Sequence, residues 1–82
     1  MIKVLFFAQI RELVGVDKIE VEATEGLTAA TLKAELLSRG DKWPLALADA
    51  NVLVAVNQTL VGWEHALHDG DEIAFFPPVT GG

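Results

Sequence analysis

Asp17-Lys18-Ile19-Glu20-Val21-Glu22-Ala23 and, after a short link, Thr28-Ala29-Ala30-Thr31-Leu32-Lys33-Ala34-Glu35-Leu36-Leu37-Ser38-Arg39-Gly40 decide the fold class. The first segment alternates strictly, with Ile19, Val21 and Ala23 on one side and Lys18, Glu20 and Glu22 on the other. Period two with one wet face predicts a half-buried antiparallel strand. In the second segment the period changes. Ala29, Leu32 and Leu36 form an i, i+3, i+7 stripe while Lys33, Glu35 and Arg39 stay in water, which predicts an amphipathic helix over Thr28 to Arg39. The Thr28 hydroxyl suits the N-cap, and Gly40 is expected to stop the helix as a left-handed C′ residue. A strand giving way to a helix, with further strands on both sides, predicts an α+β domain.

Upstream, Ile2 to Phe7 reads as a strand, and Ala8 to Val14 as a short helical turn closed by Gly15. The Asp17–Ala23 strand returns beside the first as a wide hairpin. Downstream, Trp43-Pro44 and Leu45 to Asp49 read either as a connector or as a short helical turn. Val52 to Val56 is a β-rich run, turned by Asn57-Gln58-Thr59 into a short strand at Leu60-Val61. Asp69-Gly70-Asp71 is a turn leading into the last strand, Glu72 to Phe76, and Pro77-Pro78 ends it because proline donates no ladder hydrogen bond. Strand, strand, helix, then three strands is the order of a β-grasp domain, with the first and last strands side by side and parallel at the sheet centre. The expected organisation is one domain over residues 1–76 and a flexible C-terminal tail over residues 77–82.

The 82 residues suffice for one compact domain, and an apolar fraction of 51% meets the demand of so small a core. No apolar run nears the ~20 residues that span a bilayer, and Gln9, Arg11 and Glu12 break the opening run before any cleavage site. There is no cysteine, hence neither a disulfide nor a thiolate nucleophile. A net charge of −6 with scattered lysines and arginines speaks against nucleic acid as a partner. A cytoplasmic location is the expectation, with no membrane association.

Strand parity locates a surface. Lys3 marks the wet face of the first strand, which turns Leu5 and Phe7 outward and Ile2, Val4 and Phe6 inward. Glu72 does the same for the last strand, so Ala74 and Phe76 point outward while Ile73 and Phe75 fill the core. With the two strands adjacent, Phe7 and Phe76 share an exposed face with Leu60, an expected partner-docking face.

After the diproline come Val79-Thr80-Gly81-Gly82. Two prolines stiffen the exit, and two glycines anchor nothing but admit close backbone approach, as when a chain threads a narrow channel. A terminal glycine leaves its carboxylate unhindered. A bare diglycine also reads as a frayed terminus; behind a structured strand and a docking face it reads as the working end. His65 and His68 fall short of the three or four ligands a metal needs, and Asp69 and Asp71 are explained by the turn at Gly70. There is no phosphate-cradling loop and no recognisable catalytic triad. Any chemistry falls to the carboxyl terminus.

Three stretches carry a resemblance: Ile2-Lys-Val-Leu-Phe-Phe-Ala-Gln-Ile-Arg-Glu-Leu-Val-Gly15, Val56-Asn-Gln-Thr59 and Leu67-His-Asp-Gly-Asp-Glu-Ile-Ala-Phe-Phe-Pro-Pro-Val-Thr-Gly-Gly82. Together they resemble the small, sulfur-carrying subunit of molybdopterin synthase, of molybdenum cofactor biosynthesis. That resemblance implies a ubiquitin-like β-grasp fold and Gly82 as the reacting residue, first a glycyl adenylate and then a 1-thioglycine. Val79, Thr80 and Gly81 would thread into the partner. The implied partners are the large subunit, in a heterotetramer, an ATP-dependent adenylyltransferase and a persulfide sulfur donor. No cofactor is bound permanently; ATP is consumed by the activating partner. The implied product is the dithiolene of molybdopterin, built from a cyclic pyranopterin monophosphate. Such a subunit is not catalytic alone but acts as a tethered sulfur-donor cosubstrate. Rival readings are a sibling carrier serving thiamine thiazole synthesis, a ubiquitin-like protein modifier, and a binding module with an idle tail.

Overall fold

The computed structural model describes residues 1–48 and 52–77. The expected tail positions Val79, Thr80, Gly81 and Gly82 lie outside the described residues, as do Pro78 and the link at residues 49–51. The elements run β1 (Ile2–Phe6), α1 (Ala8–Val14), β2 (Lys18–Val21), α2 (Ala29–Leu37), α3 (Lys42–Leu47), β3 (Leu53–Val56), β4 (Thr59–Val61) and β5 (Glu72–Phe76). The sheet order is β2-β1-β5-β3-β4. β5 pairs with β1 in parallel and with β3 antiparallel, so the last strand lies at the centre beside the first.

One face of the sheet carries the core. Ile2, Val4 and Phe6 of β1, Ile73 and Phe75 of β5, and Val54 and Val56 of β3 are buried against Ala29, Leu32 and Leu36 of α2 and Ile10 and Val14 of α1. Through this core runs a chain of rings: Trp43 meets Phe6 edge-on at 5.4 Å, Phe6 stacks on Phe75 at 6.2 Å, and Phe75 stacks on Trp63 at 5.9 Å. The Lys33 ammonium closes it, 4.7 Å from the Trp63 ring.

The helices form for readable reasons and end less predictably. Thr28 caps α2 through a reciprocal box, its hydroxyl accepting from Thr31 N–H at 3.2 Å while Thr31 Oγ1 accepts from Thr28 N–H at 2.7 Å. Two further donors of the first turn, Ala29 and Ala30 N–H, bond the carbonyls of His65 and Trp63. The far end corrects the expectation for Gly40. Ser38 N–H and Arg39 N–H pair with the carbonyls of Glu35 and Leu36, tightening the last turn so that the helix stops at Leu37. Gly40 follows beyond the helix end with a positive φ of 154°, and its carbonyl accepts from Trp43 N–H at the head of α3, so the connector is helical. Gly15 does adopt the left-handed conformation at the end of α1, donating to the Arg11 carbonyl at 2.9 Å.

β3 and β4 are joined by Asn57 and Gln58, with φ of 51° and 70°. Two left-handed residues in a two-residue loop give the turn whose twist matches a hairpin. Asn57 also reaches sideways to the turn before β5. Its Nδ2 donates to Asp71 Oδ1 at 3.1 Å, its Oδ1 accepts from Glu72 N–H at 3.0 Å, and its own N–H donates to the Glu72 carbonyl at 2.8 Å. The second carboxylate oxygen of Asp71 accepts from His68 N–H at 2.8 Å.

The bond from His68 N–H, reinforced by the Asn57 amide, holds the Asp71 carboxyl below the ordinary carboxylate range against the opposing effect of its burial. A lowered folded-state pKa stabilises the protein above the unfolded value of about 3.9 and is lost as pH falls through the folded one. Asp71→Asn is therefore expected to lower stability at neutral pH and to shrink the acid-induced loss. Asp69, bonded to the Met1 ammonium, is lowered too, so the difference between the two proteins in thermal melts across acid pH isolates Asp71. Parallel pH profiles would show that the carboxylate adds nothing.

Candidate functional site

The sheet face away from the helices is built by register. Leu5, Ala74, Ala55 and Leu60 stand opposite one another on β1, β5, β3 and β4, forming a row of apolar side chains across four strands. The next row toward the end of β5 pairs Phe76 with Leu53. Phe7 follows β1 in extended conformation, one residue past the Phe6–Phe75 pair, which brings it to the same end of the sheet as Phe76. On the other side of these rows lies a charged one, with Lys3 between Glu20 and Glu72.

The parity reading from Lys3 and Glu72 agrees with burial: Ile2, Val4, Phe6, Ile73 and Phe75 are buried, whereas Leu5, Ala74 and Phe76 are half-exposed. Phe7 is 45% exposed and Leu60 63%, both large for apolar side chains on so small a domain. Leu60 is not beside the phenylalanines, however. It lies two strands from β5, roughly 10 Å away at ordinary strand spacing. Leu53 and Ala55 bridge the gap, and Ala55 is 7% exposed although it stands on the outer face. The sequence reading missed these two because residues 52–56 are uniformly apolar and carry no polar marker of parity; their odd-numbered positions, once paired to Phe76 and Ala74, were the available signal.

β5 both anchors this face and ends beside it. Pro77 follows Phe76 with no N–H to extend the ladder, so β5 stops where the apolar rows reach the sheet end. Gly82 is six residues beyond Phe76, an extended reach of up to about 20 Å. His65 and His68 are exposed on the loop side, and Asp71 is committed to its turn. Among the described residues no group of three or more His, Asp or Glu could hold a metal, and no helix is long and apolar enough to cross a membrane.

The ThiS family profile matches residues 4–82. The chain belongs to the ThiS family. Because that match runs to Gly82, the diglycine lies inside the ThiS family pattern. Among curated relatives, the molybdopterin synthase sulfur carrier subunit of Escherichia coli is 60% identical over 82 residues, the full length of both chains. The protein of the same name from Haemophilus influenzae is 57% identical, also over the full length of both. Solved structures agree with the ThiS-family fold. A chain of the complex of subunits 1 and 2 of molybdopterin-converting factor from Helicobacter pylori superposes with a TM-score of 0.70 at 28% identity, covering 99% of this chain and 97% of that one. SAMP1 from Haloferax volcanii gives 0.74 at 29%, with 99% and 98% covered. The ubiquitin-like β-grasp architecture expected from element order is thus the architecture of this ThiS-family chain.

Proposed function

We propose that this chain is the sulfur carrier subunit of molybdopterin synthase, working through the carboxylate of Gly82. The observation that carries the reading is full-length similarity to curated sulfur carrier subunits, with the ThiS match including Gly81-Gly82. The outer sheet face supports it, because an exposed apolar surface beside the strand leading to the tail suits a protein that docks and presents its terminus.

A carboxylate is a poor electrophile. An ATP-dependent adenylyltransferase converts the Gly82 carboxylate to an acyl-adenylate with release of pyrophosphate, which supplies a leaving group. The terminal sulfur of a persulfide attacks the acyl carbon and AMP leaves; a thiol then cleaves the S–S bond, freeing a C-terminal thiocarboxylate. Phe7, Leu60 and Phe76, with Leu53 and Ala55 between them, dock on the large subunit. The residues Val79, Thr80 and Gly81 carry Gly82 into its active site, where the thiocarboxylate sulfur attacks a cyclic pyranopterin monophosphate. Docking makes that transfer effectively intramolecular. Two carriers in a heterotetramer suit a product with two sulfurs, and the reaction fits a cytoplasmic location supplied with ATP.

The likeness to SAMP1 keeps one rival in view, attachment to other proteins through Gly82. Incubation with the adenylyltransferase, ATP and a persulfide donor, followed by intact mass measurement, tests both. The expected product has one oxygen replaced by sulfur. Unchanged mass, or isopeptide-linked conjugates in its place, would overturn the reading.

A further inference from the structure

Two of the three stretches that mark this sequence, Val56-Asn-Gln-Thr59 and the Leu67–Glu72 portion of the last, are clasped to each other. The Asn57 side chain is satisfied on both ends, by Asp71 Oδ1 and by Glu72 N–H. Its orientation is dictated chemically: a backbone N–H must face the amide oxygen, which leaves the amide nitrogen for the carboxylate. Asp71 in turn holds His68 N–H through its other oxygen, and its carbonyl accepts from Lys3 N–H at 3.0 Å. One amide and one carboxylate thus tie the β3–β4 turn to the turn before β5, at the point where the Asp71 backbone carbonyl joins β1.

We infer that the Asn57–Asp71 clasp is a positioning device for sulfur transfer, fixing the origin of β5 so that its far end delivers Gly82 at a set distance from the docking face. The inference rests on the sulfur-carrier reading above. Ladder hydrogen bonds form equally well in any register, and side-chain alternation forbids only odd slips. Beside core packing by Ile73 and Phe75, the Met1–Asp69 ion pair and the Lys3–Glu72 pairing, the clasp is a side-chain contact that tells one allowed register of β5 from another. The smallest allowed slip is two residues, about 6.6 Å of reach, well beyond the ~3–3.5 Å separation of reacting atoms. A loosened origin therefore affects the transfer step, while the apolar residues that lie off β5, namely Leu5, Phe7, Leu53, Ala55 and Leu60, can still dock.

The test is a swap. Asn57→Asp alone sets two carboxylates against each other. Asp71→Asn alone leaves one oxygen to serve both the Asn57 amide and His68 N–H. Together they rebuild the clasp: the carboxylate introduced at 57 accepts from Glu72 N–H and from the amide introduced at 71, whose oxygen takes His68 N–H. Thiocarboxylated carriers would be prepared by ligation, so that activation is not rate-limiting, and titrated against the large subunit with the pterin substrate. Melting temperatures would be measured alongside, with assays run well below them. The expected result is a saturated transfer rate about tenfold lower in each single variant, half-saturating concentrations within about twofold of wild type, and recovery of the rate in the double variant. Single variants that melt lower yet transfer at the wild-type rate would reduce the clasp to a structural contact. A double variant that recovers stability but not rate, or singles that lose docking with an unchanged saturated rate, would also overturn the inference. A wild-type thiocarboxylate that transfers no sulfur would instead remove the carrier reading, and the gauge with it.

Discussion

Deleting Gly82 is expected to abolish sulfur transfer and leave the melting temperature unchanged. The core closes through Ile73 and Phe75 of β5, and the buried cluster among the described residues draws nothing from beyond Phe75. What the deletion removes is the position of the carboxyl group. The new terminus at Gly81 is chemically as competent for adenylation, but it stops about 3.5 Å short of the reacting position set by docking. Transition-state geometry tolerates little of that, and misplacement by ~1 Å can cost about a hundredfold. The complementary change, an alanine appended after Gly82, adds reach and a Cβ where the glycines have none, and is expected to be equally inactive provided mass measurement confirms that the residue remains attached. Molybdopterin formation by either variant, or a large fall in melting temperature on deletion, would show that the tail has another role.

The neighbouring phenylalanines of β5 are expected to separate stability from binding. Phe75 is 0% exposed, stacked between Phe6 and Trp63, and its truncation removes the middle of the ring chain. Phe75→Ala is expected to cost about 3–5 kcal/mol. Total stabilities of small domains lie around 5–15 kcal/mol, so this variant should be marginally folded at 37 °C. Phe76, one residue on, is half-exposed on the outer face opposite Leu53. Phe76→Ala is expected to cost far less in chemical denaturation but to weaken binding to the large subunit and to the adenylyltransferase by about 2 kcal/mol or more, as for an interface anchor. Calorimetric titration beside denaturation distinguishes the cases. If Phe75 controlled binding and Phe76 stability, the apolar rows would not be the docking surface.

The parity of β1 and β5 was legible because each carries one charged residue, Lys3 or Glu72, that can only face water. The uniformly apolar β3 has no such marker, so Leu53 and Ala55 emerged only from long-range pairing to β5. The end of α2 was misread for a local reason, since backbone bonds from Ser38 and Arg39 close the helix before the glycine is reached. Trp63 was silent in any periodic reading. It enters the core from a loop, because Trp63 and His65 lend their carbonyls to the start of α2. The assignment of Gly82 rests on chemistry and resemblance together, and the tail lies outside the described residues.

The central place of β5 has a consequence for how this chain is made. Without its last strand the molecule is two separate hairpins, β2-β1 and β3-β4, with a gap where their shared partner belongs. Any ribosomal product ending before Phe76 lacks the middle of its own sheet and is exposed to proteolysis as an unfolded chain. Folding therefore acts as an inspection of the message: a molecule that survives with a native sheet has been translated at least through Phe76.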